Sequence, residues 1–211
     1  MFGITDFWLF VLSGLALNII PGPDSLFIIG RSAGQGFKAG SVAALGIGTG
    51  TFVHIFAAAF GLAAILSTSA MAFTVIKIIG ALYLLYIGVT MLMSKSQLKP
   101  VATTDRKLIP LSKIFYQGFL TNALNPKVAL FFLAFVPQFI SADAPNKALA
   151  FIVLGFIFNI NGMLWCHMLA WTSSSVGKRL KSNEKLTLWL SKLTGGLFLY
   201  FGLKLALSDK S

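Results

Sequence analysis

Apolar residues in this chain come in long runs separated by short polar stretches. Runs near 5–30, 40–66, 70–93, 113–140, 146–172 and 186–208 each reach the roughly 20 residues needed to cross a bilayer as a helix. The pattern predicts an all-α integral membrane protein with six transmembrane helices. Runs one and four are longer than a crossing needs, and both carry helix breakers: Pro21, Gly22 and Pro23 in the first, Pro126 in the fourth. Proline removes an intrahelical hydrogen bond and clashes with the preceding turn. In hydrocarbon, broken backbone persists only where protein or a water-lined cavity supplies its missing partners. Helices one and four are therefore expected to be interrupted, with these four residues as break and hinge points.

The two breaks belong to a repeat. Gly14, Asn18, Pro21, Leu26 and Phe27 align without a gap on Gly118, Asn122, Asn125, Leu130 and Phe131, and Pro23 falls on Lys127. Further on, Lys77-xx-Gly80-x-Leu82-Tyr83-Leu84 matches Lys192-xx-Gly195-x-Leu197-Phe198-Leu199. Spans one to three thus resemble spans four to six. An odd number of spans per copy forces the copies to cross the membrane in opposite directions, the plan of many secondary transporters. Residues 1–211 are read as one transmembrane domain: repeat one at about 1–93, a cytoplasmic linker at about 94–112, and repeat two at about 113–211. In span two, Gly46, Gly50 and His54 recur every fourth residue and share a helix face. A face of small residues lets backbones approach closely, so it should point into the bundle.

Composition supports the membrane reading. The chain is 56% hydrophobic and 11% charged, well below the roughly 25% charged residues of soluble domains. Its net charge of +11 could point to nucleic acid. The basic residues instead gather in connectors, as they do in cytoplasmic loops facing anionic lipid. Lys95, Lys99, Arg106, Lys107 and Lys113 mark the central linker, Lys178, Arg179, Lys181 and Lys185 a later one, and Arg31 and Lys38 the connector between spans one and two. The basic loops are then cytoplasmic and both termini lie outside. Residues 1–6 show neither a basic n-region nor a small-residue cleavage site, so the first run is expected to be retained. A single cysteine, Cys166, excludes an intrachain disulfide and CxxC redox chemistry.

Few residues can carry chemistry inside the membrane. A carboxylate such as Asp24 adds about 2.5–3.5 kcal/mol of insertion cost at mid-depth, so it marks a candidate site. Asp24 could hold a substrate ammonium or carry a coupling proton; equally, it could only cap the half-helix that begins at Pro23. Lys127 sits at the equivalent place in the second repeat. Together the two offer an acidic and a basic anchor matching a zwitterionic amino acid, or else a structural ion pair. Asn18, Asn122 and Asn125 can bind substrate or satisfy backbone freed by the prolines. His54 suits proton exchange or a plain interhelical hydrogen bond. Asn159 and Asn161 in span five could line the pathway, though they lie on different faces and not both need do so, and Cys166-His167 is placed near its inner end in an interfacial role. Two histidines and one cysteine make a poor metal site, and no cofactor is expected.

These residues resemble the LysE/RhtB family of bacterial amino-acid exporters. The resemblance rests on Asn18-Ile-Ile-Pro21-Gly22-Pro23-Asp24, on the glycine-spaced second span, and on Lys77-xx-Gly80-Ala-Leu-Tyr-Leu-Leu-Tyr-Ile-Gly88. Its most specific part is Gln117-Gly118-Phe-Leu-Thr-Asn122-Ala-Leu-Asn125-Pro126-Lys127 with the following run to Pro137-Gln138. It implies a bacterial inner-membrane exporter of amino acids, driven by proton antiport and assembled as a homo-oligomer. Many members have Asn where this chain has Asp24. A heavy-metal or other small-cation exporter of the same superfamily is the alternative. The lone cysteine argues against a thiol-disulfide carrier. An intramembrane hydrolase is remote, since no Gly-x-Ser-x-Gly or His-Glu-x-x-His pattern is present. The predicted orientation makes a periplasm-active enzyme such as alkaline phosphatase functional when fused to the C-terminus, and a fluorescent-protein fusion dark. A fluorescent C-terminal fusion would reverse the assigned topology.

Overall fold

The computed structural model describes residues 2–64, 70–93, 108–141 and 143–175, with single positions at 192, 196, 199, 200 and 203. Apart from those positions, the sixth predicted span lies outside the described residues, as does most of the 94–112 linker. Every regular element among the described residues is helical. They are α1 (Phe7–Ile19), α2 (Pro23–Phe56), α3 (Ala70–Met93), α4 (Leu111–Ala123), α5 (Pro126–Leu130) and α6 (Lys147–Ser175). A π-helical turn, Ala57–Leu62, continues α2, while a π-helical turn (Phe131–Phe135) and a 3-10 turn (Val136–Phe139) continue α5.

Local chemistry sets the breaks. The α1 ladder ends with the Ile20 amide donating to Ala16 O, because Pro21 has no amide to continue it. Gly22 is extended, and Pro23 then opens α2 at the position where a missing N–H costs nothing. The second break is built differently. Asn125 caps α5, its Oδ1 accepting from the Lys127 amide at 3.0 Å, with Pro126 in the first turn. Across this break the α4 axis and that of Pro126–Phe139 differ by 43°.

The connector expected between spans one and two is corrected. Arg31 and Lys38 are both helical, and the only non-helical residue within Pro23–Phe56 is Gly36, at φ 81°. L side chains rarely adopt that conformation, so glycine alone makes the corner easily. Pro23–Leu62 spans 40 residues, about 60 Å if straight and twice the hydrocarbon thickness, so the corner divides it into two usable lengths.

The two broken helices run antiparallel. At one end the Thr5 amide donates to Phe139 O (2.9 Å) and the Ser141 amide to Gly3 O (2.8 Å). At the other, Gln35 Nε2 donates to Ile109 O (3.0 Å). The breaks lie between these ties. Arg31 reinforces the second end, reaching Gln117 Oε1 at 2.9 Å while its guanidinium lies over the Phe27 ring.

Two apolar clusters flank the level of the breaks. One gathers Phe10, Leu17, Ile55, Phe131, Phe132, Phe135, Phe139, Phe151 and Phe158. The other holds Ile28, Ala39, Ala43, Ala44, Ile47, Ile114, Cys166 and Ala170. Large apolar side chains also face outward at helical spacing, as with Val75, Ile78, Leu82, Tyr86 and Val89 on α3 and Phe156, Ile160, Leu164 and Met168 on α6. Such faces suit hydrocarbon rather than water. By length and composition, Pro23–Leu62 and Lys147–Ser175 can each cross a membrane, and the bent pair Leu111–Ala123 and Pro126–Phe139 can form a third crossing.

The glycine face of span two does point inward, against α4. A Cβ at Gly50 would lie 2.7 Å from Phe119 O and 2.9 Å from Asn122 Cβ; one at Gly118 would lie 2.6 Å from Ala43 O. The two backbones touch directly. Gly50→Val places a branched side chain against backbone, and is expected to lower Tm in detergent by the several degrees that overpacking of about 1–3 kcal/mol implies. Gly61→Ala, with open space around it, leaves Tm unchanged or slightly raised.

Candidate functional site

A polar layer lies where the breaks meet. The C-terminal end of α4 brings Asn122 beneath the start of α2, and Asn122 Nδ2 donates to Asp24 Oδ2 at 2.9 Å. Asn125 Nδ2 donates to the same oxygen at 3.0 Å. Asn122 is itself held on every side. Its Oδ1 accepts from Thr51 Oγ1 at 3.2 Å, and its backbone carbonyl takes the Asn125 amide at 2.8 Å and His54 Nε2 at 2.9 Å. Because a carbonyl only accepts, His54 carries its proton on Nε2 in this contact. The imidazole also stacks on Phe132, with ring centroids 6.2 Å apart.

Lys127 reaches the other way. Its Nζ donates to Leu17 O at 2.9 Å and Ile20 O at 3.2 Å, at the end of α1. Leu17 O is the acceptor that residue 21 would satisfy in a continuous helix, and residue 21 is proline. The ammonium thus fills a vacancy that the sequence itself creates, at a helix end where the macrodipole favours positive charge. Each break therefore sends a charged side chain to the end of the half-helix that precedes the other break. Asp24 meets the amides at the end of α4, and Lys127 meets carbonyls at the end of α1.

Between them lies a cavity of about 30 Å³, room for about two water molecules. Asn18, Asp24, Asn122, Asn125 and Lys127, all singled out in the sequence, line it together with Gly22. His54 does not; it sits behind Asn122. Two buried atoms here have no hydrogen-bond partner among the described residues: the acceptor Asp24 Oδ1 and the donor Asn18 Nδ2. Buried polar groups are usually paired, so two orphans in one cavity mark a place for something else.

Sequence reasoning missed part of the lining. Gly162, Met163 and Cys166 face the cavity from α6, as does Thr51 from α2; beside them is Asn159, one of the two asparagines of span five that the sequence offered for the pathway. Cys166 is buried there rather than interfacial, which corrects its expected place. The spacing of three and four residues from Asn159 to Cys166 is the signal that could have found this face. Asn159 Nδ2 donates to Gly48 O at 3.3 Å, whereas Asn161 is not among the lining residues.

The pattern of the LysE type translocator family matches residues 15–209, both breaks and the cavity included. The chain belongs to that family. Relatives agree along nearly the whole length of this LysE type translocator. A protein of Enterobacter sp. named leucine efflux protein is 33% identical over 205 residues, 97% of this chain and 97% of its own. Its namesake in Salmonella typhimurium is 30% identical over 97% of this chain and 96% of its own. An uncharacterized membrane protein of Pseudomonas aeruginosa is 34% identical over 99% of this chain and 98% of its own. No solved structure matches the chain. The family and the apolar helices make this translocator a multi-pass membrane protein.

The hydrogen-bond pattern ranks substitutions at the site. Asn122→Ala strips Asp24 of a donor and Thr51 of an acceptor, and is expected to lower stability by about 1–3 kcal/mol. Thr51→Val removes one neutral bond and costs about 1 kcal/mol. Thermal unfolding of the two variants checks the order.

Proposed function

We propose that this translocator exports amino acids from the cytoplasm across the bacterial inner membrane, by proton antiport and alternating access between inverted three-helix repeats. The name leucine efflux protein, borne by relatives that match end to end, supports an amino-acid substrate. The observation that carries the reading is the pair of unpartnered atoms in one cavity: an acceptor on Asp24 and a donor on Asn18. An α-amino acid brings an ammonium for the first and a carboxylate for the second. Ile47, Val128, Phe158 and Met163 complete the wall with apolar surface suited to an aliphatic side chain. The antiparallel course of the two broken helices supports the inverted arrangement.

The cavity as it stands is smaller than any amino acid, so the half-helices must part to admit one. Asn122 and Asn125 steady Asp24 for the substrate ammonium, and Lys127 lies along the same wall, near enough to serve the carboxylate once the breaks separate. Asp24 exchanges the coupling proton, with His54 connected to it through Asn122. Heavy-metal export is not favoured: relatives are named for leucine efflux, and the cavity offers a soft cation only the Cys166 thiol and the Met163 thioether beside four amides.

Bacteria lacking their own exporters and loaded with leucine-containing dipeptides give the test. Asp24→Asn removes a charge-assisted contact and is expected to slow export about ten- to hundredfold. Asn18→Ala removes a neutral one and slows it about fivefold. Wild-type rates in both variants, with normal membrane levels, would overturn the site. Separately, an imposed pH gradient is expected to drive leucine flux in proteoliposomes; flux indifferent to that gradient would overturn proton antiport.

A further inference from the structure

We propose that the Lys127 ammonium occupies the place of a coupling metal cation, as a cation tethered to the chain, so that transport requires neither Na⁺ nor K⁺. This rests on the transporter reading above and names its ion dependence. In transporters built from inverted repeats, carbonyls at unwound helix ends commonly coordinate the coupling cation. Here the corresponding carbonyls are those of Leu17 and Ile20, at the broken end of α1, and both are taken by Lys127 Nζ.

Three features favour this over a simple structural prop. First, the carbonyl of Leu17 is open because Pro21 carries no amide, so the site for a cation is made by the same break that makes the cavity. Second, the ammonium arrives from the other repeat, at the first turn of α5, so it bridges the two broken helices as a shared metal ion would. Third, Lys127 lines the same cavity as Asp24, so the tethered charge stands at the site and not at a remote helix end. Two backbone carbonyls, completed by water once the ammonium is removed, form an oxygen set suited to a hard monovalent cation. A free ion must be recruited in every cycle and leaves with its gradient. A lysine cannot leave, and the exchangeable charge that remains is the proton.

The substitution that removes the ammonium should then expose the site. Purified Lys127→Gln and Lys127→Ser are expected to gain a few degrees in Tm, saturably, in NaCl or KCl over choline chloride at equal ionic strength. Wild type and Lys127→Arg, which keep a tethered cation, are expected to show equal Tm in the three salts. In proteoliposomes, wild-type leucine efflux is expected to run at one rate in all of them. Equal Tm of the Gln and Ser variants across the salts would overturn the proposal. So would a Na⁺ or K⁺ requirement of wild-type flux, or selective stabilisation of wild type by either ion; both are readable if the variants do not fold. The stability arm needs no transport, so a protein that moves no amino acid at all defeats the transporter reading while leaving the salt comparison to decide the cation.

Discussion

Backbone that leaves a helix inside an apolar layer must find its hydrogen-bond partners within the protein. That constraint governs this molecule. The unwound stretch around Pro21 leaves a carbonyl without an amide, and the stretch around Asn125 leaves amides without carbonyls. The chain meets both demands by exchange: a lysine from the second repeat serves the first break, and an asparagine serves its own helix start while also holding the aspartate of the first repeat. The first break is therefore not self-sufficient: its carbonyls are met by a side chain of the second.

The same economy shapes the cavity. Asn122 has a partner for each side-chain group and for its carbonyl, so it is a fixed part of the wall. Asp24 is bound through one oxygen and open through the other. Asn18, the counterpart of Asn122 in the repeat, has no His54 or Thr51 opposite it; Gly162 lies nearby instead. Two related positions have thus diverged into a braced amide and a free one. Similar sequence yields an asymmetric cavity.

Much of this was legible in the chain because proline acts locally. Pro21, Pro23 and Pro126 remove particular amides, and the breaks fall beside them. The five polar residues flanking those breaks do meet at one cavity, since unwound turns in apolar surroundings gather the available polar side chains. The partners were not legible. Opposite charges suggested that Asp24 and Lys127 grip each other, yet each binds neutral groups at a helix end, because amides and carbonyls stripped of water compete strongly for a buried charge. Counting four residues back from Pro21 would have pointed to the carbonyl of Leu17. Nor was the helix through Arg31 and Lys38 legible, since a glycine-rich polar stretch has no period to betray one.

The seam formed by Gly46, Gly50 and Gly118 has a mechanical consequence. Backbones in contact without intervening side chains cannot slide, because a shift of one residue would drive the Ile47 side chain, or the backbone carrying it, into α4. The second length of α2 and α4 are therefore welded into a single strut that keeps Thr51 and His54 fixed against Asn122. On its other side α6 packs against the same strut, with Gly155 facing Ile55 and Gly48 facing Met163, so the polar layer rests on a scaffold of three helices.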